Sequence, residues 1–281
     1  MPLKLIYITE KPEIAQIAQE NGVDRIMVDL EYIGKAERQG GMDTVQSHHT
    51  LADVSAVRHV LSTSELMVRV NPIHGATNEY SSSETEIEEA ITRGADIVML
   101  PYFKTVAEVQ KFIAYVRGRC KTMLLLETSS AVNQLDSIMQ LDGIDEIHIG
   151  LNDLSICYHN RFMFELLANG TVEDLCNRLK HYNIPFGFGG IASLGRGLVP
   201  AEMIIKEHYR LGSHGAILSR SFCNANKFSD LEAVREIFFR GIREIRALER
   251  ECAFHTKYFT DNEKELKQAV SSVLKALEEK Q

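Results

Sequence analysis

No run of apolar residues in this chain approaches the roughly 20 that a helical membrane span needs, so a bilayer is excluded as its solvent. The opening Met1-Pro2-Leu3-Lys4 lacks the apolar segment of a secretory signal, and the expectation is a cytoplasmic protein. Basic residues are outnumbered, 31 Lys and Arg against 39 Asp and Glu, for a net charge of −8. Nucleic-acid binding rests on a basic face that neutralises phosphates, so that partner class is excluded. The five cysteines are scattered, odd in number and without a Cys-x-x-Cys pair. That pattern fits free thiols in a reducing compartment, not a disulfide framework. No Pro/Ser-rich linker divides the 281 residues, which are enough for one large core. The first apolar run is followed by Thr9-Glu10-Lys11-Pro12, not by a Gly-rich phosphate loop. This counts against an open doubly wound sheet.

Eight short apolar runs are present: Leu3–Ile8, Arg25–Leu30, Leu66–Asn71, Ile97–Tyr102, Met123–Glu127, Glu146–Leu151, Pro185–Gly189 and Gly215–Ser219. Amphipathic stretches with helical spacing lie between them, among them Pro12–Asn21, Leu51–Leu61, Glu84–Arg93, Val106–Val116, Val132–Leu141 and Ala201–Leu211. Near-continuous apolar strands alternating with helices predict a parallel sheet covered on both faces. Eight units in a chain of this length predict a closed (β/α)8 TIM barrel, typically about 250 residues. Gly22, Gly94 and Gly212 stand where helices should end in a left-handed cap. The expected organisation is a barrel core over residues 1–228 and a C-terminal helical extension over 229–281. That tail carries Val234, Ile237, Phe238, Ile242 and Ile245, then Leu266, Ala269, Val270, Val273 and Leu277, at helical spacing. Its apolar surface exceeds what one barrel helix needs, which predicts packing on a neighbouring subunit in a homo-oligomer, a trimer or hexamer.

Two acids end apolar runs where a barrel enzyme keeps its chemistry. Met123-Leu124-Leu125-Leu126 stops at Glu127, and Ile147-His148-Ile149-Gly150-Leu151 stops at Asn152-Asp153. Strand C-termini converge in such a barrel, and each buried carboxylate costs several kcal/mol unless compensated. A divalent cation is the expected partner, and oxygen donors favour Mg or Mn over Zn. The polar stretch from Glu31 to Thr50 is long enough to serve as a lid or substrate-selecting loop, or to be a plain surface excursion.

Five segments occur in a shared order at successive strand ends: Val28-Asp29-Leu30-Glu31, Val68-Arg69-Val70-Asn71-Pro72, Gly94 to Pro101, Leu126-Glu127-Thr128, and Ile149 to Leu154. In these the chain resembles the HpcH/HpaI aldolase and citrate lyase β-subunit family of the phosphoenolpyruvate/pyruvate barrel superfamily. The resemblance implies that Glu127 and Asp153 hold the metal and that Arg69 faces the oxygens of a 2-oxo acid or thioester enolate. It implies further that Asp29 and Glu31 stand beside metal-bound water. The alternative for Arg69 is a structural salt bridge at a strand end.

The chain departs from that pattern at three positions. Tyr32 stands where the family's aldolases carry a His, Tyr102 where citrate-lyase types often have Lys, and Leu125 where aldolases tend to have Gln. A phenol with an ordinary pKa of about 10 is a poor base at neutral pH. His48 and His49 are candidates for the missing base, with His49 placed in the catalytic set; the alternative is a pair of loop histidines ahead of a helix capped by Thr50. His148 reads as a core residue. Gly187-Phe188-Gly189-Gly190 reads either as an anion-binding loop or as close backbone approach. The expected function is a divalent-metal-dependent carbon–carbon lyase or aldolase acting on a small 2-oxo or hydroxy acid. The alternatives are a citrate-lyase-type acyl-CoA lyase and a non-catalytic metabolite-binding barrel.

Overall fold

A strand buried at every position needs cover on both faces, and β2 (Arg25–Asp29) and β4 (Ile97–Leu100) are buried throughout. The computed structural model describes residues 1–35, 49–228 and 230–279. The remaining strands are β1 (Lys4–Ile8), β3 (Glu65–Arg69), β5 (Lys121–Leu126), β6 (Glu146–Ile149), β7 (Phe186–Ile191) and β8 (Gly215–Leu218). The eight close in sequence order into a parallel barrel with helices between strands, a (β/α)8 fold with C-terminal helices. All eight strands expected from the apolar runs are present, with ends shifted by at most two residues.

Helix punctuation follows the chain. α1 is Pro12–Glu20, α2 Leu51–Val60, α3 Ser83–Thr92 and α4 Val106–Val116. Thr50 caps α2 and Thr105 caps α4, each in a reciprocal capping box with an acid three residues on, Asp53 and Glu108. Gly22, Gly94 and Gly212 take φ of 89°, 94° and 69°. The single helix expected over Val132–Leu141 is two, α5 (Ser129–Asn133) and α6 (Leu135–Ile138). Thr128 caps the first by accepting from the Ala131 amide, which starts it three residues early. Val132, Leu135 and Ile138 stay buried, so the apolar period survives the break. Between β6 and β7 lie α7 (Leu151–Cys157), α8 (Glu165–Ala168) and α9 (Thr171–His181), which the sequence reading did not place.

The chain packs as two compact units, one of Tyr7–Glu20 with Asp24–Ile147, the other of Met1–Ile6, Asn21–Val23 and His148–Gln281. In the first, Arg25 at the start of β2 is bidentate to Glu146 at 2.6 Å and bonds Glu65 at 2.8 Å, while Lys121 reaches Glu65 at 2.6 Å. These pairs close the N-terminal strand ends. In the second, α10 (Ala201–Leu211) packs against α11 (Leu231–Phe254) and α12 (Phe259–Glu278). Leu266 and Val270 are buried, and buried Asn262 donates to Glu207 Oε1 at 3.0 Å. Glu249 of α11 accepts the Leu3 amide at 2.6 Å. Val234, Phe238, Ile242, Ile245, Leu266 and Val270 of the tail are thus covered by its own chain, while Leu231, Phe239 and Phe254 stay exposed. Among the described residues no helix is long and apolar enough to cross a membrane, and all five cysteines are free.

Candidate active site

Four charged side chains meet at the C-terminal ends of β2 and β3. The parallel register sets Asp29 opposite Arg69. Arg69 Nε and Nη2 donate to the two oxygens of Asp29 at 2.7 Å each, and Nη1 lies 3.3 Å from Glu31 Oε2. Lys35 Nζ approaches Asp29 Oδ2 at 3.1 Å and Glu31 Oε2 at 3.4 Å. Asp29, Glu31 and Lys35 are buried. Two acids and two cations balance, which is what allows the cluster to sit out of water. Burial alone would lower the Arg69 pKa, but Asp29, Glu31 and, further off, Glu127 outweigh it and hold it above its ordinary value. Lys35 was not found from sequence; a lysine in a polar loop reads as solvated, and only the i,i+4 spacing to Glu31 hinted at a partner.

The loop after β2 is fixed by Asn71, which is 2% exposed. Its Oδ1 accepts the amides of Tyr32 and Ile33 at 3.0 Å each, and its Nδ2 donates to Leu30 O at 3.1 Å and Glu86 Oε1 at 2.7 Å. Burial outweighs these bonds and raises the Glu86 pKa. The Asp29 amide donates to His49 Nδ1 at 3.0 Å, and His49 Nε2 stands 3.1 Å from Glu10 Oε2. With Nδ1 accepting, the proton sits on Nε2 facing Glu10. As bonded, His49 has no lone pair to offer a substrate, and its geometry is that of a support for the Asp29 backbone. Thr50 caps the helix that follows, as expected. His48 and most of the expected lid, residues 36–48, lie outside the described residues.

Glu127 follows β5, is 3% exposed, and accepts the Tyr102 amide at 2.9 Å. Tyr102 holds φ of +48°, a left-handed conformation that costs a non-glycine residue roughly 1 kcal/mol. Its ring lies under Lys104 Nζ at 5.0 Å, so a cation reaches this strand end two residues later than the citrate-lyase pattern suggested. In the other unit, Asp153 lies in the first turn of α7, not at a strand terminus as the run through Leu151 had implied. Gly150, with φ of −82°, ends the strand and precedes the helix.

Among the described residues no group of three or more His, Cys, Asp and Glu is arranged to hold an ion. Carboxylates such as Glu127 and Asp153 are still the donor type that Mg takes, since it binds through one or two protein carboxylates and keeps several waters. The donor chemistry therefore fits a hard divalent ion completed by water and substrate.

Gly187 and Gly189, within β7, sit where the packing is crowded. A Cβ on Gly187 would lie 2.4 Å from Gly215 O and 2.8 Å from His148 Nδ1, and Gly189, at φ +52°, would place one 2.7 Å from Leu151. His148 is buried, with Nε2 3.1 Å from Gly189 O, as a core residue should be.

Comparison with solved structures supports the fold. An HpcH/HpaI aldolase from Desulfitobacterium hafniense DCB-2 superposes with a TM-score of 0.59 at 14% identity, covering 87% of this chain and 93% of that one. An HpcH/HpaI aldolase/citrate lyase family protein from Burkholderia cenocepacia J2315 gives 0.61 at 15%, covering 87% and 95%. A citrate synthase variant gives 0.56 at 16%, covering 77% and 85%. No curated protein matches the chain by sequence. The profile of the HpcH/HpaI aldolase/citrate lyase family matches residues 5–160, more than half of the chain and the span that holds Asp29, Arg69, Glu127 and Asp153, so the chain belongs to that family.

Proposed function

We propose that this protein is a divalent-metal-dependent carbon–carbon lyase or aldolase that acts on a small 2-oxo acid through an enolate. One observation carries the reading. Arg69 is a partly buried, permanent cation whose fork is locked by Asp29 at the end of β3, and whose field includes Glu127 at the end of β5. A locked guanidinium stabilises charge where it develops on a 2-oxo acid without reorganising as it does so. Asp29 aims that fork, and Lys35 keeps the cluster neutral so that an anionic substrate is not repelled. Glu31 holds its partners at 3.3 and 3.4 Å, longer than the 2.7 Å bonds of Asp29, and is assigned proton transfer. Glu127 and, on sequence grounds, Asp153 would hold Mg or Mn, which when bound supplies a Lewis acid for the substrate carbonyl.

The test is proton–deuterium exchange at C3 of pyruvate in deuterated water with Mg or Mn, followed by NMR, alongside release of pyruvate or oxaloacetate from candidate aldols. Exchange dependent on the added metal supports the reading. No exchange with either ion overturns it, and activity confined to thioesters moves the protein to the acyl-CoA lyases.

A further inference from the structure

Tyr32 stands one residue beyond Glu31, yet its ring is 42% exposed. An exposed tyrosine is ordinarily a mobile one, but here both its backbone and its neighbour are fixed. The Tyr32 amide is held by buried Asn71, itself tied to Glu86 and Leu30. The ring packs on Tyr80 with centroids 5.2 Å apart and planes tilted by 58°. Tyr80 is mounted as firmly. Its carbonyl accepts the Thr77 amide at 2.9 Å, and its own amide donates to Thr77 Oγ1 at 3.1 Å. His74 spans the base of the same loop, between Pro72 O at 2.7 Å and Ser81 O at 2.9 Å. Such rigid aromatic surfaces bind with little loss of conformational entropy. Their charge environment is one-sided. Partial burial first, then the carboxylates of Glu86 and Glu79, raise the Tyr32 pKa, so the ring stays a neutral phenol.

We propose that Tyr32 and Tyr80 form the wall that receives the acceptor half of the substrate, and that this wall selects an uncharged aldehyde with a planar or sugar-like face over an anionic one. The proposal rests on the aldolase reading above. In the condensation, a proton leaves C3 of the 2-oxo acid and the resulting enolate carbon bonds to the aldehyde carbon. The aldehyde π pair moves to its oxygen, which takes up a proton, so the addition is redox-neutral. Rings stack against the tyrosine faces, whereas a second carboxylate would meet the negative charge of Glu86 and Glu79. The residue that replaces the family's histidine is then a specificity determinant for the acceptor, not a base.

The test uses the full chain with Mg or Mn and pyruvate as donor. Pyruvate exchange is confirmed first, and then benzaldehyde and D-glyceraldehyde are compared with glyoxylate and succinic semialdehyde. The expected kcat/KM is at least about tenfold higher for the uncharged pair. Tyr32→Ala should raise the acceptor KM by about tenfold, with the loss falling on KM and not on kcat, and Tyr32→Phe should restore it. Exchange accompanied by preference for glyoxylate or succinic semialdehyde overturns the wall alone. A Tyr32→Ala loss confined to kcat does the same. Absence of exchange overturns the aldolase reading and the wall with it.

Discussion

His208 should make this protein lose stability on mild acidification. It lies on α10, fully buried, its ring stacked on Phe188 at 3.8 Å and 2°. Nδ1 faces Ser213 Oγ at 2.8 Å, and Nε2 has no hydrogen-bond partner among the described residues. Burial, and secondarily the charge of His148, push its pKa from 6.5 down to about 3. The folded ring therefore stays neutral at pH values where the unfolded one takes a proton. Stability from this group is complete above pH 6.5 and falls as the pH drops toward about 3. The loss reaches about 2 kcal/mol at pH 5 and about 3 kcal/mol at pH 4 by linkage. Replacing the ring with phenylalanine keeps the stack on Phe188 and removes the titration. Urea midpoints of wild type and His208→Phe, measured from pH 7 to 4, isolate the term, because shared groups cancel in the difference. The variant should start below wild type at pH 7 by about 1 kcal/mol for the lost Ser213 bond, overtake it a little below pH 6, and lead by about 1 kcal/mol at pH 5. Parallel decline of the two proteins would mean that the imidazole is solvated, and the argument from burial would be wrong.

Other outcomes follow from the same structure. Glu127→Gln and Asp153→Asn should each abolish Mg or Mn binding by calorimetry with the circular dichroism spectrum unchanged; wild-type affinity in either variant removes that residue as a ligand. Arg69→Lys keeps the charge but cannot hold both oxygens of Asp29, and turnover should fall by about 100-fold; a near-normal rate would leave Arg69 a structural ion pair. Asn71→Ala strands the amides of Tyr32 and Ile33 and the carbonyl of Leu30, at a cost of about 2–3 kcal/mol by denaturation; a loss under 0.5 kcal/mol would show that the loop re-pairs on its own. Truncation after Ala225 should expose the faces now covered by Val234, Phe238, Leu266 and Val270 and cause aggregation. Full-length protein that sediments as a monomer at micromolar concentration would end the expectation of a trimer or hexamer.

The barrel was legible because its strands are nearly continuous apolar runs and its helices start at Thr and Asp caps and stop at Gly. Both signals are local. The helices between β6 and β7 were missed although Val172, Leu175, Cys176 and Leu179 repeat at helical spacing and are all buried. Gly170 and the charged residues interleaved with the apolar ones weaken the amphipathic signal there. The break at Gln134 was hidden for the opposite reason, since the apolar period runs across it unchanged. The tail was read correctly as two amphipathic helices, but counting apolar residues says nothing about which surface covers them. Asn262 and Glu207, which dock α12 onto its own chain, are polar residues 55 positions apart.

At the candidate site, Asp29, Glu31 and Arg69, named from sequence, meet at the ends of β2 and β3. Arg69 was weighed as either a substrate-facing cation or a structural ion pair. The geometry shows the ion pair, and on the proposed function the same bidentate bond to Asp29 fixes the guanidinium that an enolate would need. His49 Nδ1 accepts the Asp29 amide, a contact across 20 residues that no local pattern encodes. Lys35 completes the balance. Without it, Asp29, Glu31 and Arg69 would carry a net negative charge out of water, which on the proposed function would repel an anionic substrate from Arg69. On the proposed function the residues that carry the chemistry are those the motif names, and whether they can act is decided by partners outside it, Lys35 and His49.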